Sequence, residues 1–135
     1  MNKVFLILLS FALTANIEIN QSNLVAENII KEYCNNENTF ISNTEIVNDN
    51  EITLLYIHHL SPAGFIIISA DNRVFPYLGY SFDNNLDLSN SPDNFSFVFD
   101  NYKQNIKRHI INDLIVDDSL VNSTWNTLLQ ENYIN

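Results

Sequence analysis

Apolar positions recur at spacings of three and four near both ends of the chain, and at a spacing of two or in unbroken runs between them. In residues 22–34, Val25, Ala26, Ile29, Ile30 and Tyr33 share one stripe, which predicts a helix capped by Ser22 and ended by Asn35-Asn36-Glu37-Asn38. From Thr39 the period changes. Phe40-Ile41 and Ile46-Val47 predict a strand with a turn at Asn48-Asp49-Asn50. Ile52 to Leu60 and Phe65 to Ala70 are β-branched runs separated by Ser61-Pro62-Ala63-Gly64, the pattern of a β-hairpin. Phe65-Ile66-Ile67-Ile68 is apolar without alternation, as in a central strand covered on both faces.

Val74 to Tyr80 reads as extended, kept out of helix by Pro76, and a polar loop follows from Ser81 to Asn90. Ser91-Pro92-Asp93 predicts a helix start with a capping hydroxyl, Pro at the first helical position and an acid near the positive dipole end. Phe95, Val98, Phe99, Tyr102, Ile106 and Ile110 continue that helix to about Asn112. Leu120, Val121, Trp125 and Leu128 mark a last helix over roughly 119–130. The expectation is an α+β fold in a single domain over residues 22–130. A small antiparallel sheet of three or four strands carries an N-terminal helix and one or two C-terminal helices.

The start of the chain is of another kind. Lys3 precedes an apolar run from Val4 to Ala15, too short to span a bilayer and of the length of a secretory signal peptide. Residues 1–15 are therefore expected to direct export and be removed, leaving a secreted or periplasmic protein that is not held at a membrane.

Charge and composition narrow the function. The 135 residues include 6 Lys+Arg against 16 Asp+Glu, a formal net charge of −10. An acidic chain without a basic cluster is a poor match for nucleic acid, whose recognition rests on cations neutralising phosphates. One Cys and two Gly argue against an intramolecular disulfide, a Cys-rich metal site and most phosphate-binding loops. Cys34 with His58, His59 or His109 could form a nucleophilic pair, but Cys34 closes a helix stripe and reads as a small buried hydrophobe. His58 and His59 adjoin on a strand, so their rings point to opposite faces and cannot share a metal. Asp71 and Asp83 suit turn capping better than acid–base work. No catalytic residue, metal site or cofactor is expected.

The informative stretch is Gly64-Phe65-Ile66-Ile67-Ile68-Ser69-Ala70-Asp71-Asn72-Arg73, continuing to Pro76-Tyr77-Leu78-Gly79-Tyr80-Ser81. It resembles the prodomain and inhibitor family of the streptopain-like cysteine proteases (peptidase family C10, with its Spi-type inhibitors). That family carries a Gly-Phe-Val-Ile-Val-Ser strand, a Gly-Asp-x-Arg turn and a Pro-Ile-Leu-Gly-Tyr-Ser stretch. Ala70 and Tyr77 depart from the pattern. Leu24 to Tyr33 and Phe95 to Ile106 resemble, more weakly, the helices on either side. Within the motif, Gly64, Phe65, Ser69, Asp71, Arg73, Pro76, Gly79 and Tyr80 read as fold determinants. Gly64 serves the hairpin turn, Asp71 pairs with Arg73, and Gly79 permits a tight bend.

The resemblance implies a secreted inhibitor that occludes the active site of a C10 cysteine protease without covalent chemistry. A truncated or split propeptide, or a secreted binding module with no protease partner, are the alternatives. The loop after Tyr80, with Asp83, Asn84, Asn85, Asp87 and Asn90, is the expected protease contact. It is the longest polar loop, is anchored at both ends, and Asn90 best matches the Asn that the family carries there. The sequence leaves the oligomeric state open.

Overall fold

A computed structural model describes residues 15–132; the expected signal segment lies, but for Ala15, outside the described residues. The elements follow in the order α1 (Ile19–Tyr33), β1 (Phe40–Asp49), β2 (Ile52–Ser61), β3 (Phe65–Ser69), β4 (Tyr77–Ser81), a 3-10 turn (Leu88–Asn90), α2 (Asp93–Asn112) and α3 (Ser119–Leu128). The four strands form one antiparallel meander in the order β1-β2-β3-β4. The fold is α+β, as the sequence predicts.

The sheet divides the core. On one face α1 and α3 press Val25, Ala26, Ile29, Val121, Trp125 and Leu128 onto Leu60, Ile66 and Ile68. On the other, α2 brings Phe99 and Ile106 against Leu55, Ile57, Ile67 and Val74. Successive residues of β3 thus enter opposite cores, which is why Ile66-Ile67-Ile68 shows no alternation. Each such isoleucine, wholly removed from water, contributes roughly 1.5–3 kcal/mol of transfer free energy. Residues 15–17 strap across the sheet end: Ile17 N–H donates to Ala70 O, Asn72 N–H donates to Ala15 O, and the Tyr56 hydroxyl donates to Ile17 O.

Several local expectations shift. Helix α1 starts earlier than residue 22, with Glu18 as N-cap and a reciprocal capping box to Gln21. Ser22 is not the cap; it is buried, its Oγ 2.7 Å from His58 Nε2. β1 is one ten-residue strand, and its register shifts at Ile41/Asn43 and Val47/Asn48 break the alternation that would have marked it. Pro92, not Ser91, is the N-cap of α2. Ser91 Oγ instead bonds Leu88 O and Ser96 Oγ, tying the 3-10 turn to the helix. Cys34 is half-buried at the C-cap of α1 rather than in the core, with its thiol 3.3 Å from Thr39 Oγ1.

Candidate functional site

Residues 69–76 form a hub. Ser69 Oγ both donates to Asp71 O and accepts from Asp71 N–H, and Ser69 N–H donates to the carbonyl of buried Pro76. The Asp71 carboxylate, 2% exposed, accepts from the backbone N–H, Nε and Nη2 of Arg73 at 2.8–2.9 Å. Arg73 Nη1 continues to Asp113 Oδ1 at 2.8 Å, at the left-handed C-cap of α2. The guanidinium thereby fastens the turn after β3 to the end of α2. Its own pKa is held above the usual value, chiefly by the Asp71 hydrogen bond. Tyr102 Oη donates to Phe75 O and Trp125 Nε1 donates to Val74 O, both at 2.8 Å.

The two motif glycines differ. Gly64 has φ +115°, and a Cβ there would stand 2.2 Å from the Ser81 carbonyl oxygen, so the turn admits no side chain. Gly79 stands beside the register shift that separates the Ile67–Gly79 and Ile68–Tyr77 pairs. It lies within β4 opposite Ile67, and a Cβ on it would meet open space. Phe65 is half-buried against the α2 core. Tyr80 is 36% exposed and stacks on Tyr33 with ring centroids 5.5 Å apart. Phe75, Tyr77, Tyr80 and Phe82 extend this contact into an aromatic ladder along β4.

The loop that leaves this ladder is pinned at its root and at its far end. Ser81 Oγ accepts from the backbone N–H groups of Asp83 and Asn84. Asn85 Oδ1 accepts from Gly64 N–H at 3.0 Å, stapling the loop to the β2–β3 turn. Asp87 caps the 3-10 turn, accepting from Ser89 N–H at 2.9 Å and from Asn90 Nδ2 at 3.1 Å. The Ser89 hydroxyl, which also donates to it, then Asn90 Nδ2 and Ser89 N–H hold its carboxyl below the usual range. All five loop residues are exposed. Sequence reasoning named them together, and the structure shows that Asn85 and Asp87 also shape the loop, while Asp83 and Asn84 occupy its outward bend.

The histidines are engaged apart from Cys34. His58, fully buried, lies between Ser22 Oγ and Thr44 Oγ1, 2.9 Å from the latter; burial, and secondarily His59, push its pKa down to about 4. His59 faces Glu45 at 3.3 Å and His109 Nδ1 meets Asn105 O at 2.8 Å. Among the described residues, no group of three or more His, Cys, Asp or Glu is placed to hold a metal ion.

The missed feature is the aromatic surface. Tyr33 reads in sequence as the end of a core stripe, yet as the last residue of α1 it is 43% exposed and stacks on Tyr80.

No curated protein and no solved structure matches the chain. The family model described as Spi protease inhibitor matches residues 14–106, which takes in α1, the whole sheet, the pinned loop and most of α2. With more than half of its length so matched, the chain belongs to the Spi protease inhibitor family.

Proposed function

We propose that this protein is a secreted, non-covalent inhibitor of a streptopain-class (C10) cysteine protease, and that the loop from Ser81 to Asn94 covers the protease active site. Membership of a protease-inhibitor family supports the class of partner. The observation that carries the mode is the pinning of the loop by Asn85 to Gly64 and by Asp87 to its own 3-10 turn. A loop already held in one shape loses less entropy on binding than a free tail. Its exposed amides, Asn84 above all, donate and accept hydrogen bonds without carrying a charge into a closed site. Export through residues 1–15 is part of the proposal, and N-terminal sequencing of secreted material tests it.

The decisive experiment titrates the mature chain against a purified C10 protease. Stoichiometric loss of activity is expected, reversed on dilution. Cys34→Ala should inhibit within about threefold of the parent, under ~1 kcal/mol. Alanine at Asp83 or Asn84 should weaken inhibition by about 2 kcal/mol at a hot spot, with the circular dichroism spectrum unchanged. Uniform potency across residues 83–91 would remove the loop from the contact.

A further inference from the structure

Beside the aromatic ladder lies a cavity of about 180 Å³ between the C-terminal turn of α1, the start of β4 and the outer face of α3. Its walls are Glu32, Tyr33, Tyr77, Ser123, Thr124 and Thr127, over Leu128. That is room for several waters or for the head of one long side chain. The chemistry of the lining is one-sided. Glu32 supplies a carboxylate, and Tyr33 and Tyr77 supply aromatic side chains. Thr124 and Thr127 spend their hydroxyl protons on the carbonyls of Leu120 and Ser123, so the lone pairs of both oxygens remain as acceptors. Among the lining residues there is no cationic side chain. Burial and the hydrogen bond with Glu32 push the Tyr33 phenol up to about 12.

A carboxylate, two aromatic side chains and hydroxyl acceptors form surroundings that can bind a guanidinium or an ammonium. The whole chain, at −10, attracts such a group. The cavity is also continuous with the proposed contact: Tyr77 is the first residue of β4, and Tyr80 and Phe82 carry the ladder from it to the root of the loop. Over β4 that is roughly 17 Å, inside the span of a protein interface of standard size. Ser123, Thr124 and Thr127 lie beyond the residues that match the family.

We propose that this cavity receives an arginine or lysine side chain projecting from the target protease beside its active site, with Glu32 as counter-ion and the Tyr33 and Tyr77 rings as walls. The proposal rests on the protease-inhibitor reading above and names a contact that selects the partner. Two variants test it from different sides: Glu32→Gln removes the charge, and Ser123→Trp fills the space. Both positions are exposed, so the thermal midpoint should stay at that of the parent. Inhibition constants are measured for the parent and both variants at low and high salt. Each variant should lose at least tenfold in potency at low salt, and Glu32→Gln should also lose part of the parent's salt dependence. A parent that inhibits while both variants match it within twofold overturns the cavity alone. A parent that inhibits no cysteine protease overturns the functional reading, and the cavity proposal with it.

Discussion

Replacing Gly64 by alanine should cost this domain a large part of its stability, and the size of the effect follows from three separate contacts. The backbone at φ +115° is open to glycine and strained for any other residue, at about 1–3 kcal/mol. The new methyl would sit 2.2 Å from the Ser81 carbonyl oxygen and 2.9 Å from the Phe82 Cα, both backbone atoms that cannot swing aside. Relieving such a clash costs a further ~1–3 kcal/mol. Any shift also stretches the hydrogen bond from Gly64 N–H to Asn85 Oδ1, worth about 1 kcal/mol. Because the three share one displacement, a total of about 3–5 kcal/mol is expected, against the 5–15 kcal/mol typical of a whole domain. Gly79→Ala is the control: its methyl enters open space on a strand with ordinary dihedrals, so stability should hold or rise by up to ~1 kcal/mol. Urea unfolding followed by the fluorescence of Trp125, the one tryptophan of the chain, reads both. A Gly64→Ala midpoint lower by about 2 M is the expected result. A loss under ~1 kcal/mol, or an equal loss at Gly79, would refute the reasoning.

Two further outcomes follow from buried groups. His58 titrates near 4 when folded against an ordinary value of 6.5, so as pH falls the unfolded chain binds the proton first. The stability His58 confers is complete above about pH 6.5 and drains away towards pH 4; about 2 kcal/mol should vanish between pH 7 and 5. Denaturation at both pH values should show this fall in the parent and much less of it in His58→Gln; an equal fall in both would clear His58 of responsibility. Trp125→Ala should cost ~3–5 kcal/mol by thermal melting, since it empties a core position and leaves the Val74 carbonyl without its donor. A near-parental midpoint would mean that α3 is dispensable to the fold.

Where side chains report their own neighbourhood, the sequence was a sound guide. The helical stripes, the Ser61-to-Gly64 turn and the unalternating isoleucines each state a period or a dihedral that physics reads locally. The errors came where a distant partner decided the matter. Ser22 has the chemistry of a cap, but His58, 36 residues away, claims its hydroxyl, and Glu18 caps instead. β1 hides its period because two register shifts flip its faces. The Tyr33–Tyr77 cavity was out of reach for the same reason: three elements far apart in the chain build it.

The hub at residues 69–76 also governs the order in which the molecule can assemble. Its backbone groups are met by residue 15 and residue 17 from the start of the domain and by Tyr102 and Trp125 from its end, while Asp113 holds its Arg73 guanidinium. A chain emerging from the ribosome can wind α1 and pair its hairpins early, yet it cannot close one core before α2 has appeared nor the other before α3 has. Such long loops make closure slow relative to helix formation. The amides of Ser69, Ala70 and Asn72, bonded to Pro76, Leu54 and Ala15, should accordingly exchange with solvent only when the whole domain opens, since early and late elements of the domain close over the same few backbone groups.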